Sequence, residues 1–301
     1  MMINKKLMTH TRLLLPIRLV LVLLCLLTPN AFADIRVMTI NAEWLWTPFD
    51  HKVDGNIKST RDMSIPAYTE ELSFYTKLIQ RQDIDIVAIN EIENEQVAKE
   101  LTHKLGKQWR YYFKQGLDTA TGQDVAILSR LPYVDGSLTD FNFPSAKLSV
   151  LDKPKRITKL VGAQFWVEEK GQRQKIGVIT SHFLSKRNEN QQKAENRQKQ
   201  ALALKQAINQ FFNDTDSLLV LGDFNDYIES STMRTLLDSP LYSYQQCANF
   251  KKKDAEMMLK KWRRNIDHIL FAGMNCLSQD KIDLKTYSDH DAISGVFTLS
   301  R

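Results

Sequence analysis

The chain has 301 residues, of which 43% are hydrophobic and 25% charged, and its formal net charge is +6. Beyond the N-terminal region no apolar run approaches the roughly 20 residues of a membrane-spanning helix, which excludes a multi-span membrane protein. We find no Pro-, Gly- or Ser-rich linker, no low-complexity tract and no short repeat, so one domain is the economical interpretation.

The N-terminal 33 residues have the layout of a signal peptide. Four basic residues and no acid accompany the apolar run Leu19–Leu27, and Ala31-Phe32-Ala33 supplies a small-x-small cleavage site. We expect cleavage before Asp34, export of the domain 34–301 to the periplasm or the medium, and a monomer without a stable membrane anchor. The alternative is an uncleaved N-terminal anchor, although the apolar run is short for a bilayer span.

Removal of this segment changes both the charge and the cysteine count. It lowers the formal net charge from +6 to about +2, so the charge of the whole mature protein is weak evidence for nucleic acid binding. A local basic segment remains at 251–264, which suits either a phosphate-backbone contact or a solvated face. Cys247 and Cys276 remain as a pair that we expect to form a disulfide in an oxidising compartment.

Hydrophobic patterning predicts alternating strands and helices. The strands 159–167 and 175–181 are predicted to form a hairpin. Because hairpins are mixed with strand–helix alternation, we expect mixed rather than wholly parallel sheets in an α/β (α+β) domain. The predicted strands are 35–41, 85–90, 109–114, 124–130, 159–167, 175–181, 218–222, 266–272 and 292–299, and the predicted helices are 68–81, 95–105 and 190–212.

Polar side chains stand where several of these apolar runs begin or end. The clearest example is the run Leu218–Leu221, which leads into Gly222-Asp223-Phe224-Asn225. Carboxylates and amides suit Mg²⁺, Mn²⁺ or Ca²⁺, and no Cys or His pair has zinc spacing. Together with two histidines they indicate metal-assisted attack of water on a phosphate ester. The other positions are Asn41 with Glu43, Glu91, Asp124, His182, Asp267 and the triplet Ser288-Asp289-His290.

These residues, in this order, resemble the endonuclease/exonuclease/phosphatase superfamily, which has the fold of deoxyribonuclease I. The resemblance covers residues 34–301 and implies a four-layered α/β sandwich, with two packed mixed β-sheets flanked by helices. It is closest to the secreted bacterial nucleases of the superfamily. Glu91-Ile92-Glu93-Asn94 is similar to their Glu-Ile-Glu-Asn signature, and His182–Lys186 is similar to their His-x-x-Ser-Lys stretch.

The resemblance implies a divalent metal, Mg²⁺ or Mn²⁺ with Ca²⁺ as an alternative. Glu91 would be the main metal ligand, and Asn41 would help to place both the metal and the phosphate. Glu43 and Asp289 would add carboxylates to the metal shell or its surroundings.

The resemblance also implies roles around the attacking water. Asp223 would orient or deprotonate the water, and Asn225 would bind the scissile phosphate. His290, oriented by Asp267, would contact a phosphate oxygen and take part in proton transfer. Such a carboxylate–histidine pair keeps one tautomer of the imidazole and keeps it basic.

The remaining implied roles lie on the leaving-group side. His182 would protonate the leaving oxygen or bind phosphate, and Asp124 would pair with it. Lys186 and Arg187 would meet a neighbouring phosphate, although a solvated helix start explains them equally well. Asn265 departs from the family pattern, in which an arginine or glutamine commonly precedes the Ile-Asp pair.

The substrate that we expect is nucleic acid, DNA before RNA. A secreted sphingomyelin or phospholipid phosphodiesterase, or a phosphatase, is the alternative, and it would use the aromatic stretch Trp44–Phe49 at a membrane surface. Stacking on nucleic acid bases and packing in the core are alternative roles for the same aromatic residues. A catalytically inactive binding module is a third interpretation, weakened by the presence of every polar position.

Overall fold

The computed structural model describes residues 34–48, 63–114, 116, 123–139, 159–169, 171–238 and 265–300. Asp34–Arg301 forms one compact unit. The predicted signal peptide and the basic segment 251–264 lie outside the described residues. Cys276 is disulfide-bonded, but the other two cysteines of the chain lie outside the described residues, so its pairing with Cys247 stays a prediction.

Ten strands and four helices make up the part of the chain that the structure describes. Their bounds are β1 (Ile35–Leu45), α1 (Ile65–Arg81), β2 (Ile86–Ile92), α2 (Glu95–Leu105), β3 (Arg110–Phe113), β4 (Asp124–Ser129), β5 (Leu160–Glu169), β6 (Gln172–His182), α3 (Gln191–Phe212), β7 (Ser217–Asp223), α4 (Ser231–Leu237), β8 (Asp267–Ala272), β9 (Met274–Asp283) and β10 (Asp291–Leu299). No helix within these ranges is long and apolar enough to cross a membrane.

Every predicted strand and helix is present, most with bounds shifted by one to three residues. The strand β1 is longer than predicted and continues to Leu45. Two elements were missed, β9 and α4. The strand β9 is an edge strand with many exposed polar residues, and α4 has only seven residues, so neither has a clear hydrophobic period.

The strands form two mixed sheets, with the orders β3-β4-β2-β1-β10-β9 and β5-β6-β7-β8. The parallel neighbours are β1 with β2 and β6 with β7, and the other neighbours are antiparallel. Strands β1, β2, β4 and β10 face the strands of the second sheet. The predicted sandwich of two mixed sheets is therefore confirmed.

Helices cover the outer faces of both sheets. Leu72 and Tyr75 of α1 and Leu101 of α2 are buried in one cluster with residues of β1, β2 and β4. Leu204 of α3 and Met233 of α4 are buried in a second cluster with residues of β6, β7 and β8. Complete burial of each such side chain contributes about 1.5–3 kcal/mol, so these two clusters and the layer between the sheets hold the strands in place.

The carboxyl ends of both parallel strand pairs contribute residues to one place. In the second sheet His182 pairs with Asp223, and Asp223 pairs with Asp267 at the start of β8. In the first sheet Asn41 pairs with Asn90, and Asn90 donates to the carbonyl oxygen of Ser181 across the sandwich at 3.4 Å. The polar strand ends of the two sheets therefore meet at one edge of the sandwich.

Candidate active site

Seven of the predicted site residues lie together at this edge. Asp223 is buried at its centre, where Oδ2 accepts hydrogen bonds from Nδ2 of Asn41 at 3.0 Å and from Nδ2 of Asn225 at 2.9 Å. The same oxygen lies 3.6 Å from Nε2 of His182 and 3.9 Å from Nε2 of His290. The seven residues are Asn41, Glu91, His182, Asp223, Asn225, Asp267 and His290.

The backbone after β7 turns sharply to bring Asn225 back towards Asp223. Asn225 has φ 50, a left-handed conformation that Asn tolerates better than most residues, and its N–H donates to Oδ1 of Asp223 at 2.8 Å. Its Nδ2 also donates to the carbonyl oxygen of Phe183 at 3.1 Å. Burial, with the neighbouring charge of Asp267, raises the pKa of Asp223 well above its usual range. The carboxylate is therefore more basic than an exposed one.

His290 and Asp267 form a close pair, with Nδ1 of the imidazole 2.7 Å from Oδ2 of the carboxylate. Burial alone would lower the pKa of His290, but the hydrogen bond and charge of Asp267, followed by the charge of Asp223, outweigh it and raise the pKa to about 10. At neutral pH His290 is therefore an imidazolium, with its second N–H directed at the centre of the site.

Glu91 reaches the site because β2 is irregular at this position. The register between β2 and β4 shifts between Asn90 and Ile92, and Glu91 has φ 60. A non-glycine residue in this region costs about 1–3 kcal/mol and persists where the surrounding structure enforces it. Its Oε1 accepts from Nδ2 of Asn41 at 3.0 Å and lies 3.5 Å from Nε2 of His182. Burial raises the pKa of Glu91.

The rest of the Glu-Ile-Glu-Asn signature fixes the chain around Glu91. Ile92 is fully buried, and Oε2 of Glu93 accepts from the N–H of Thr47 at 2.6 Å. Asn94 caps α2 by accepting from the N–H of Gln96 at 2.9 Å. One residue of the signature, Glu91, therefore lies in the site, and the other three hold the backbone on which it stands.

His182 is buried and neutral. Burial, with the positive charges of Lys159 and His290, lowers the pKa of His182 well below its usual value. Because Nε2 faces carboxylate oxygens of Glu91 and Asp223, it carries the proton of the neutral ring. Its Nδ1 has no hydrogen-bond partner among the described residues.

The pairing of Asp124 with His182 stays a prediction. Oδ1 of Asp124 accepts from the N–H of Gly116 at 3.0 Å, so this carboxylate fastens the connection between β3 and β4. The described partners of Nε2 of His182 are Glu91 and Asp223.

Asn41, Glu43 and Asp289 form a brace beside the carboxylates. Oδ1 of Asn41 accepts from the N–H of Glu43 at 2.9 Å, and Oε2 of Glu43 accepts from the N–H of Asp289 at 2.9 Å. The amide oxygen of Asn41 therefore accepts a backbone hydrogen bond. Its amide nitrogen, which is a donor and does not bind cations, faces Glu91 and Asp223. Metal binding by Glu43 and Asp289 stays a prediction; the Asp289 side chain is 72% exposed, with Oδ1 3.7 Å from Nε2 of His290.

The donor atoms of the site fit a hard divalent cation. Two groups among the described residues each bring three potential ligand atoms within 4.8 Å of one another: Glu91 with His182 and Asp223, and Asp223 with Asp267 and His290. Because a protonated ring nitrogen cannot bind a metal, the carboxylate oxygens are the available donors in the protonation states described above. Carboxylate oxygens predominate in both, as Mg²⁺ and Mn²⁺ prefer. Oδ1 of Asp267 is also buried without a hydrogen-bond partner in the described part of the chain.

Lys186 has an internal partner that the sequence did not reveal. Its Nζ lies 2.6 Å from Oδ1 of Asp226 and 4.6 Å from the centroid of the Tyr227 ring. Asp226 also pairs with the buried Arg197 at 3.3 Å. The N–H of Lys186 donates to Oδ1 of Asn225 at 3.4 Å, so the pair holds the loop that carries Asn225. Arg187 is exposed, and its contact with a phosphate stays a prediction.

Gln123 is a site residue that the sequence analysis missed. It is buried, and its Nε2 donates to Oε2 of Glu91 at 2.6 Å. The two oxygens of Glu91 thus have separate donors, Asn41 and Gln123. The only sequence signal was its place directly before Asp124, at the start of a predicted strand.

Replacing Gln123 with Ala is expected to lower metal affinity or activity by about 10–100-fold, the usual effect of losing a hydrogen bond to a metal ligand. Initial rates across a Mg²⁺ titration, with calorimetric Mg²⁺ binding, would measure the loss. The matched control is Gln164→Ala, which removes an amide–carboxylate bond to Asp214 at 3.1 Å outside the site. An unchanged Mg²⁺ dependence in Gln123→Ala would refute the role.

His268 is structural and lies beside the catalytic loop. Its ring stacks on Phe224 at 5.8 Å between centroids, and Nε2 lies 3.0 Å from the carbonyl oxygen of Asp226. Burial lowers the pKa of His268 below its ordinary value of 6.5. The folded protein therefore keeps this ring neutral at pH values where the unfolded chain binds a proton.

We expect His268 to contribute a fall in the free energy of unfolding as the pH drops below 6.5, because only the unfolded chain then protonates at this ring. His182 contributes with the same sign, whereas His290, Asp223 and Glu91, whose pKa values are raised in the fold, contribute with the opposite sign. The contribution of His268 is therefore the difference between wild type and His268→Gln, and the variant should lose less stability than wild type on acidification. Urea unfolding at pH 7.5, 6.5 and 5.5 measures this, with the exposed His103→Gln as control. Equal falls in His268→Gln and wild type would contradict the assignment.

Comparison with known proteins decides the family. The model of the Endonuclease/Exonuclease/phosphatase family matches residues 72–290, well over half of the chain. The chain belongs to the endonuclease/exonuclease/phosphatase family. A search of the curated proteins finds no match.

Solved structures of the family have a similar fold at low sequence identity. An endonuclease/exonuclease/phosphatase from Bacteroides vulgatus matches with a TM-score of 0.58 and 15% identity, over 89% of this chain and 100% of that chain. The human Nocturnin catalytic domain with bound sulfate matches with a TM-score of 0.55 and 15% identity, over 90% and 97%. ANGEL2, a 2',3'-cyclic phosphatase, in complex with adenosine-2',3'-vanadate, matches with a TM-score of 0.56 and 15% identity, over 89% and 96%. The members of this family are phosphoesterases that generally depend on divalent metals.

Proposed function

We propose that the protein is an exported, Mg²⁺- or Mn²⁺-dependent phosphodiesterase that cleaves nucleic acid, DNA before RNA. The observation that carries the chemistry is the buried Asp223, surrounded by amide donors of Asn41 and Asn225 and by the imidazole of His182. An acid of raised pKa among fixed donors suits the activation of water next to a phosphate. Export depends on the predicted signal peptide.

Each residue of the site has a separate role in the proposed reaction. Asp223 would accept a hydrogen bond from the attacking water and take its proton. The imidazolium of His290 and the neutral Nε2–H of His182 would donate to phosphate oxygens, which gain negative charge as the water attacks. Asn225 would hold the same phosphate. A divalent cation held by Glu91 and its neighbouring carboxylates would supply Lewis-acid polarisation of a phosphate oxygen.

Three features support a polynucleotide as the substrate. The Glu91–Asn94 signature and the His182–Lys186 stretch resemble secreted bacterial nucleases, and a basic segment lies at 251–264. The relative ANGEL2 also binds an adenosine derivative, adenosine-2',3'-vanadate, in its solved complex. The lipid alternative would need exposed aromatic side chains at a membrane surface. Trp46 is only 1% exposed and Trp44 is half-buried, so at least Trp46 packs in the core instead.

The decisive experiment offers the mature chain, residues 34–301, three substrates side by side. Plasmid DNA, RNA and sphingomyelin liposomes are incubated with Mg²⁺, Mn²⁺ or Ca²⁺ and with EDTA. We expect cleavage of DNA with Mg²⁺ or Mn²⁺ and none with EDTA. Release of phosphocholine without polynucleotide cleavage would replace the nuclease proposal with the lipid one, and no hydrolysis of any substrate would favour a binding module. Fractionation of cells that express the full chain tests export.

A further inference from the structure

Lys159 stands opposite His182 where β5 begins. The carbonyl oxygen of Lys159 accepts from the N–H of His182 at 3.1 Å and from Oγ of Ser181 at 3.1 Å. These bonds continue the antiparallel register in which Leu160 faces Ser181. Directly opposed residues of an antiparallel pair project on the same face of the sheet. The half-buried Lys159 side chain therefore shares a face with the imidazole of His182.

The positive charge of Lys159 acts on two residues of the site. After burial, it is the largest influence lowering the pKa of His182. Burial raises the pKa of Glu91, and the charge of Lys159 opposes that rise together with the Asn41 hydrogen bond and the charge of His290. Both directions agree with the register, which places Lys159 opposite His182 on the same face of the sheet.

The ammonium of Lys159 has no hydrogen-bond or ion-pair partner in the described ranges. Other lysines of the two sheets and their loops differ in this respect. Lys175 pairs with Asp214 at 3.1 Å, Lys186 with Asp226 at 2.6 Å and Lys281 with Asp291 at 3.2 Å. A half-buried cation that has no partner among the described residues, on the His182 side of the site, is available to an anionic ligand.

We propose that Lys159 is a catalytic residue that binds a non-bridging oxygen of the scissile phosphodiester, on the His182 side of the site. This inference rests on the proposed function and deepens it. The phosphodiester carries one negative charge in the ground state and gains more on its oxygens as water attacks. A fixed cation in a partly desolvated site therefore stabilises the transition state more than the bound substrate. Lys159 also selects for an anionic phosphate ester over a neutral ester.

The test compares Lys159→Met and Lys159→Arg with Lys77→Met, a matched change at an exposed lysine of α1. Rates are measured with plasmid DNA and with bis(p-nitrophenyl) phosphate, and inorganic phosphate binding is measured by calorimetry. In Lys159→Met we expect kcat/KM to fall by about 10²–10³-fold, mainly in kcat, and phosphate binding to weaken at least about tenfold. Lys159→Arg should recover most of both, and Lys77→Met should match wild type.

A second measurement needs no variant. Limited acetylation of wild-type lysines, followed by mass spectrometry, should show slower modification of Lys159 when inorganic phosphate is present and unchanged modification of Lys77. The inference would be overturned if Lys159→Met had the same kinetics and phosphate affinity as Lys77→Met. It would also be overturned if phosphate did not change the rate at which Lys159 is acetylated. If the protein binds phosphate through Lys159 but hydrolyses no phosphodiester, the proposed function is refuted and the anion site at Lys159 is still supported.

Discussion

Replacement of Asp223 with Asn is expected to reduce kcat by about 10²–10⁴-fold while leaving the protein folded, the range for losing a general base or a preorganised electrostatic contact. Asn has the shape of Asp, and its oxygen can still accept the N–H of Asn225, now at 2.8 Å, while its NH2 group would face the amide nitrogens of Asn41 and Asn225, which would have to turn. It carries no charge for a metal and cannot take a proton from water. Burial and the charge of Asp267 raise the pKa of Asp223, so the ionised carboxylate is held at a cost to stability that a neutral Asn avoids.

The measurement is single-turnover cleavage of a labelled DNA duplex, with thermal unfolding to show that the variant is folded. Asp280→Asn, the same change on the exposed edge strand β9, is the control and should match wild type in both. Because groups that act together lose activity non-additively, Asp223→Asn combined with His290→Ala should be little slower than the slower single variant. An Asp223→Asn enzyme that keeps a tenth of wild-type kcat would contradict the assignment.

Replacement of Gly222 with Ala is expected to destabilise the fold by about 3–5 kcal/mol, from backbone strain and steric overlap together. Gly222 has φ 147, and a Cβ there would lie 2.0 Å from the carbonyl oxygen of Ser181 on β6. Gly222 and Ser181 are paired in the parallel register of β6 and β7, so the strands would have to separate next to His182 and Asp223. Activity should fall with stability, because two site residues would move apart.

Gly136→Ala separates the two causes of this effect. Gly136 has φ 76, but a Cβ there would have nothing within 4 Å, so its substitution tests strain without overlap. We expect Gly136→Ala to cost about 1–2 kcal/mol and to leave activity unchanged. Guanidinium unfolding gives both free energies. Equal stability of the two variants would show that β6 and β7 can relax around an added methyl group.

Local backbone conformation at the site follows one physical pattern. Glu43, Glu91 and Asn225 all have positive φ values, of 40, 60 and 50. Glu43 and Glu91 lie next to buried strand residues, and Asn225 follows the buried Phe224, so none of them can relax without losing core contacts. The packing of the sandwich therefore compensates for the backbone strain that places Glu91 and Asn225 in the site and Glu43 in the brace beside it. Core packing likewise offsets the electrostatic repulsion between the neighbouring carboxylates Asp223 and Asp267.

The sequence alone determined the architecture and most of the composition of the site. Apolar periods reveal strands and helices because burial on one side imposes them, and only the edge strand β9 and the short α4 lacked that signal. Polar residues at strand ends, such as Asn41, His182 and Asp223, were found because the ends of strands in packed sheets converge at one edge. These features depend on short stretches of chain, which a sequence displays directly.

Tertiary structure alone decided where each side chain points and what it touches. Glu91 faces the site through a register shift, and a shift of one residue reverses the face on which a strand side chain lies. Gln123 and Lys159 join the site from segments far along the chain from Glu91, whereas Asp124 turns to Gly116 and Lys186 to Asp226. Such partners are set by contacts between distant segments, and these form only when the two sheets pack.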